Sequence, residues 1–423
     1  MLNKIKVFYR NNTMWMYLIR SIVISILMAI TVILVDSQII IGKEFIPQFL
    51  LTSVNLAKLI LSTLAGSLLT ITTFTFSTIM VVLTTYSSNF SPRVVNNFLT
   101  DKTTIKVLGI FIGGFTYCIL ALFFMRQALS EYLVLSATVA VIYAVLCIIY
   151  FVVFVFRVSS FIQASKLISQ IYDEAYEAID EALEHRENQM SSDDYEIGRF
   201  KKQFEIAAKQ SGYLELIEFD DLLRTLWNIE SKLVVKEEIG NFVIKGQTIA
   251  VLYYNQELPI DEMSDKLSRD FSIEEERIAY NDYRFSLQKI IDITLRSLSP
   301  GINDPNTAIH CINILGVLLS KIGDINGKYT IIKKEYSKSA IIYKNFYFAD
   351  DLYYTFYQIV HYGQEDLSVL MAILKALENI KYSSAVNKTA AIDKFANYVY
   401  ENSIDNFSHE LDRDQLEQMK TSI

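Results

Sequence analysis

From Leu59 to Pro92 the chain carries no charged residue. At 1.5 Å per residue an unbroken helix of that length would run roughly 50 Å, well past the ~30 Å hydrocarbon core of a bilayer. Three more stretches are long and apolar enough to span: about Tyr17 to Val35, closed by Asp36; about Ile105 to Met125; and about Tyr132 to Phe156. The second span itself is expected from about Leu59 to Tyr86, with Pro92 as a terminator. The first stretch lacks a small-residue cleavage site and is followed by more hydrophobic segments, so it reads as a span rather than a signal peptide. The predicted fold is a mainly α integral membrane protein, with four transmembrane helices in residues 1–157. With 52% hydrophobic and 20% charged residues overall, the apolar excess lies before Arg157, and amphipathic patterning resumes after it.

Loop charges set the expected orientation. Lys4, Lys6 and Arg10 precede the first span, Arg93, Lys102 and Lys106 separate the second from the third, and Arg157 and Lys166 follow the fourth. The other side offers Lys43, Lys58 and Arg126. The positive-inside bias places both termini of this multi-pass chain in the cytoplasm.

Within the second span the polar residues are ordered. Thr63, Thr70, Ser77 and Thr84 recur every seven residues, Gly66 and Thr73 fill the same stripe, and Ser62 and Ser67 flank it. Small and hydroxyl residues let helices approach closely. They also suit an uncharged, water-facing pathway lined by several subunits. No acidic or basic residue sits mid-membrane, which disfavours a proton relay.

The remainder reads as a mostly helical cytoplasmic domain with a small β-module. A helical continuation of the fourth span is expected over 158–190 without a break, with Phe161, Ile168, Ala175 and Ala182 spaced by seven and Ala164, Ile171 and Ala178 between them. Such a seam fits either a domain core or an oligomeric stalk. A small α/β module follows over 195–260: a strand at Gly212–Phe219, a helix capped by Asp220 or Asp221 and running to about Ser231, and β character from Lys232 to Tyr254 broken at Gly240 and Gly246. The run IGNFVIKGQTIAVLYY resembles the turn of biotinyl- and lipoyl-type barrels. It has no lysine between methionines, so no carrier role follows.

Residues 261–423 are expected to be mostly helical. Ser272 with Glu275 forms a capping box for a helix containing Arg277. A helix over about Asn281 to Ser299 carries Asp292 and Arg296 one turn apart and able to pair. In LSPGINDPNTA, residues 298–308, Pro300 and Gly301 break the chain, Asp304 can cap and Pro305 suits a first helical position. The amides of that helix start could hold an anion, or the corner could be purely structural. Asn326-Gly327 reads as a turn into a strand over Tyr329–Tyr336 that pairs with Ala340–Tyr343. Helices are expected over Asp350–Ile380 and Ala385–Ile404, and the charged tail from Ser408 reads as a surface helix or a disordered end.

Cys118, Cys147 and Cys311 have no CxxC partner, and His185, His310, His361 and His409 are scattered. Neither a metal site nor a disulfide framework is indicated. No phosphate loop, dinucleotide fingerprint or nucleophile elbow occurs, so no catalytic residue and no cofactor is expected. The net charge of −8 argues against nucleic acid as a partner.

The stretches TYSSNFSPRVVNNFL, YRFSLQKIIDITLRSLSPGINDPNTAIHCINIL and IVHYGQED together resemble a bacterial family of predicted inner-membrane proteins known as a domain of unknown function. The resemblance implies four amino-terminal membrane helices and a cytoplasmic carboxyl-terminal domain, and no substrate. It also implies a basic-acidic cluster ahead of the SPGINDP loop, which maps here to Arg277, Asp282, Asp292, Arg296, Asn303 and Asp304. The family's usual threonine and glutamine are replaced by Ile278 and Asn281.

The leading functional expectation is an oligomeric membrane channel or channel-like pore, lined by Thr63, Gly66, Thr70, Thr73, Ser77 and Thr84, with a cytoplasmic vestibule or gating domain. Its partners would be the lipid bilayer, further copies of the chain, and ions. The plan is similar to that of bestrophin-type channels, by analogy alone. The alternative is a membrane-anchored sensor or scaffold that binds a ligand or partner at the SPGINDP corner.

Overall fold

The computed structural model describes residues 13–37, 46–94, 101–125, 133–161, 163–187, 189–277, 282–323, 328–344, 347–383 and 388–423. The chain divides into two compact units, Met1–Leu167 and Ile168–Ile423.

The first unit holds α1 (Thr13–Asp36), α2 (Val54–Asn89), α3 (Lys102–Phe124) and α4 (Ser136–Phe161). Each contains a segment long and apolar enough to cross a membrane. α3 is central and packs against the other three. Glycines make this possible. A methyl group at Gly109 would lie 2.8 Å from Ser21 Oγ, one at Gly113 would collide with Ser25 Oγ, and one at Gly114 would lie 2.8 Å from the Tyr143 ring. Tyr143 Oη donates to the Ile110 carbonyl at 3.1 Å and sits 3.3 Å from Ser25 Oγ. The close-approach surface inside the bundle is therefore the glycine face of α3, where small residues let polar groups meet across helices.

Two carboxylates close the helix ends. Asp36, the last residue of α1, accepts from Leu135 N at 2.7 Å and Ser136 N at 3.1 Å, satisfying amides at the start of α4. Beside it a short antiparallel ladder joins β1 (Thr52–Ser53) to β2 (Leu133–Val134). Asp101 caps α3 by accepting from Thr104 N at 2.9 Å, and also receives Arg157 from α4.

The fourth span does not continue unbroken. α4 ends at Phe161 and α5 (Ala164–Glu187) starts after Gln163, which is non-helical. Ile168, Ile171, Ala175 and Ala178 of α5 are buried within the protomer.

The second unit mixes sheet and helix. β3 (Met190–Ser192), β10 (Tyr329–Ile332), β11 (Ser339–Lys344), β6 (Ser231–Val235), β8 (Thr248–Tyr254) and β4 (Lys202–Ala207) form one sheet in that order. A second sheet has the order β7 (Phe242–Val243), β5 (Gly212–Ile217), β9 (Phe271–Glu274). α6 (Phe219–Leu226) and α7 (Ile260–Ser268) share the apolar core with both sheets. Gly240 (φ 89°) and Gly246 (φ 87°) make the tight turns flanking β7, in a region that favours glycine. Strands from well beyond residue 260 thus complete the sheets begun by the β-module.

Two local expectations are corrected. Ser272 and Glu275 open no helix: Ser272 lies in β9, paired with Leu216, so burial of alternate residues in a sheet overrides the capping pattern. α6 begins after Glu218, which makes no side-chain cap bond, while Asp220 and Asp221 lie in its first turn. The Asn326-Gly327 turn falls outside the described residues, as do Ile278 and Asn281.

The helices that follow are α8 (Tyr283–Ser297), α9 (Pro305–Ile322), α10 (Phe348–Gly363), α11 (Leu367–Ser383), α12 (Thr389–Ser403) and α13 (Glu410–Ser422). The span expected as one helix from Asp350 to Ile380 is two, divided at Gln364–Asp366, where Asp366 Oδ1 accepts from Ser368 N at 2.9 Å. The charged tail is the helix α13.

Candidate functional site

The predicted stripe on α2 is exposed along its whole length. Thr63, Gly66, Thr70, Thr73, Ser77 and Thr84 all face away from the protomer. The contact face of α2 is a different one, formed by Ala57, Leu61, Ala65, Leu68, Ile79 and Val82. No atom outside the helix lies within 4 Å of where a side chain on Gly66 would begin.

The threonine hydroxyls turn their protons inward. Thr63 donates to Leu59 O at 2.8 Å, Thr70 to Gly66 O at 2.9 Å, Thr73 to Leu69 O at 3.0 Å and Thr84 to Met80 O at 2.9 Å. A hydroxyl bonded this way keeps its lone pairs as acceptors. The stripe is thus uncharged and presents acceptors, among the exposed apolar side chains of Leu59, Leu69, Phe74, Met80 and Val81. At its far end Met80, Val81, Thr84, Thr85 and Ser88 line an open groove of about 310 Å³.

The second predicted cluster separates into two places. At the start of α8, Arg277 Nε donates to Asp282 Oδ2 at 2.6 Å, and Asp282 Oδ1 accepts from Phe285 N as the helix cap. Gly240 makes room for this pair, since a Cβ there would collide with Asp282 Oδ2 and lie 2.9 Å from Arg277 Nη2. Tyr354 bonds both Arg277 and Gln288, and Gln288 donates to Asp292 at 2.8 Å, which brings Asp292 into the same network.

Residues that sequence reasoning missed extend it. Arg284 pairs with the fully buried Asp351 and, at 3.2 Å, with Glu238; Lys344 reaches Glu238 at 2.8 Å. Tyr283 Oη donates to Asp351 at 2.7 Å. Arg277, Arg284 and Lys344 thus balance Asp282, Glu238 and Asp351. Burial pushes the Asp282 and Asp351 carboxyls above the usual carboxylate range, against the pull of the two guanidiniums. Every cation in this group already has a carboxylate partner, so it ties the sheets to the helices rather than offering an open anion site.

The other predicted residues lie toward the far end of α8, about 20 Å along the axis from Asp282. Arg296 is exposed there. Asn303 takes a left-handed conformation (φ 49°), and Asp304 N bonds back to Ser297 O at 2.8 Å. Asp304 caps α9: Oδ1 accepts from Thr307 N at 3.1 Å and Oδ2 from Thr307 Oγ1 at 2.5 Å. These bonds hold its carboxyl below the usual range. The SPGINDP corner is a capped turn joining α8 to α9, as the motif's cap and proline pattern predicts. Cys311 on α9 is buried and its thiol is pushed up to about 12, which marks it as packing rather than a nucleophile.

The family described as predicted membrane protein (DUF2254) matches residues 11–379. Uncharacterized proteins of Mycobacterium bovis and of two strains of Mycobacterium tuberculosis are each 24% identical over 338 residues, which is 77% of this chain and 63% of each relative. The chain therefore spans a little under two thirds of those relatives. No solved structure matches it.

Proposed function

Because this chain belongs to the predicted membrane protein (DUF2254) family, we propose that it acts in a bacterial cytoplasmic membrane as one subunit of an oligomeric channel-like pore, with α2 lining the pathway. One observation carries the reading: the six stripe residues are all exposed in the protomer, while the opposite face of α2 makes its internal contacts. Packing within the chain leaves the stripe unexplained. Several copies that turn these faces toward a common axis would bury it from lipid around water. Contact between neighbouring α2 helices at one depth and a water-lined path at another are compatible.

The loop charges that favour cytoplasmic termini assign the second unit to the cytosol, as vestibule or gate. Ions are the proposed passengers, and no chemical step is part of this function. The alternative, an anchored sensor with a ligand site at the SPGINDP corner, has less support, because both Asp304 oxygens are engaged by Thr307.

The test is ion flux from liposomes holding the purified protein, with Thr70→Trp and Ser77→Trp alongside. Flux that either tryptophan blocks supports the pore. Absence of conductance under every ion gradient and voltage applied to a folded, oligomeric sample overturns it.

A further inference from the structure

α13 is the least embedded helix of the second unit. Of its 13 residues Leu416 alone is buried, and Leu411 is 66% exposed. It lies against α11 and α12. α11, by contrast, is well embedded, with Leu370, Ile373, Leu374, Leu377 and Ile380 buried and Ser368, Lys375 and Asn379 on its exposed face. On one flank Gly316 of α9 meets Ala376 of α11 so closely that an added Cβ would sit 3.0 Å away. α13 covers another flank.

The other ties of α13 are polar and peripheral. Lys381 Nζ donates to the Ile423 carbonyl, Arg413 Nε donates to Phe407 O at 2.5 Å, and Lys420 Nζ stands 5.5 Å from the Tyr400 ring centre. The burial of one leucine opposes the conformational entropy of an entire helix. α13 should therefore detach while α8 to α12 stay folded. α12 and α13 also lie beyond the segment that the family matches, which ends inside α11.

We propose that α13 is an exchangeable strap: in an assembly of this chain, the α13 of one copy leaves its own α11–α12 groove and seats in the same groove of a neighbouring copy. The groove itself identifies the occupant. It already fits α13, and every copy carries that helix, so a second copy reproduces the Leu416, Lys381 and Tyr400 contacts without any new complementarity. The short non-helical link at Phe407–His409 is where the chain would be redirected. Exchange requires more than one copy and so rests on the oligomeric part of the proposed function.

Two differently tagged copies, one Tyr400→Cys and the other Lys420→Cys, are co-expressed, purified in detergent and treated with a short bifunctional thiol reagent. The expected result is an adduct carrying both tags, lost when Leu416→Asp is added. Native mass spectrometry of untreated protein separates the possible failures. An oligomer that gives no mixed adduct, while a copy bearing both cysteines links internally, overturns exchange alone. A monomer overturns exchange together with the oligomeric reading. Hydrogen exchange gives an independent measure: residues 410–422 should exchange at least tenfold faster than α9 and α11, and equal protection would sink the strap.

Discussion

Asp101 Oδ1 lies 2.6 Å from Arg157 Nη2 and 3.2 Å from Arg157 Nε, so the start of α3 and the end of α4 are tied by a forked pair. The same carboxylate caps α3 through Thr104. Asp101 therefore has two roles, pairing with Arg157 and capping α3. In an Arg157→Ala background, where the pair is already gone, Asp101→Ala should still destabilise the detergent-solubilised protein by about 1 kcal/mol, the usual worth of a lost cap. Thermal unfolding of Arg157→Ala and of the double variant measures this. A double variant no less stable than Arg157→Ala would mean that the cap contributes nothing.

Asp351 is fully buried beneath Arg284 and Tyr283. Removing Arg284 takes the guanidinium from this carboxylate while Glu238 keeps Lys344, and an uncompensated buried charge costs about 3–5 kcal/mol. Arg284→Met should therefore unfold the second unit well ahead of Arg284→Met/Asp351→Leu, which removes both charges. Chemical denaturation followed by near-ultraviolet circular dichroism distinguishes them. A double variant no more stable than Arg284→Met would refute the argument.

Gly240 and Gly246 share a positive φ, yet their surroundings differ. A Cβ at Gly240 meets Asp282 and Arg277, whereas one at Gly246 meets nothing within 4 Å. Gly246→Ala should cost about 1 kcal/mol for its backbone alone. Gly240→Ala adds a collision with the ion pair and should cost at least twice as much. Denaturation midpoints decide between an additional collision term and a backbone term alone.

These contrasts show why some of the molecule was legible in sequence and some was not. Spans announce themselves by apolar length, which depends on nothing distant. The α2 stripe and the Asp304 cap are equally local, since each partner lies within four residues. Arg277 with Asp282 was within reach for the same reason. Arg284 was not, because Asp351 is 67 residues away and Glu238 is 46 away. Ser272 misled because a strand partner, Leu216, decides its state. The α3 glycines were visible in GIFIGG, but only the placement of Ser21, Ser25 and Tyr143 reveals what they admit.

The Asp304 cap also predicts a pH dependence. Thr307 holds the folded carboxyl below its ordinary value of 3.8. A depressed carboxyl adds stability that is fully present above the unfolded value and is lost as pH falls through the folded one. Thr307→Val deletes the hydroxyl donor and keeps the backbone donor, so the folded carboxyl should rise toward 3.8. The variant should be less stable than the parent at pH 6, and the difference should shrink steadily below pH 4. Asp304→Asn abolishes this titration, so Thr307→Val made in that background should show a pH-independent effect. Denaturation midpoints of the four proteins between pH 6 and pH 3 test the chain of reasoning. A Thr307→Val penalty that does not change across that range would show that its hydroxyl acts through packing and not through the Asp304 charge.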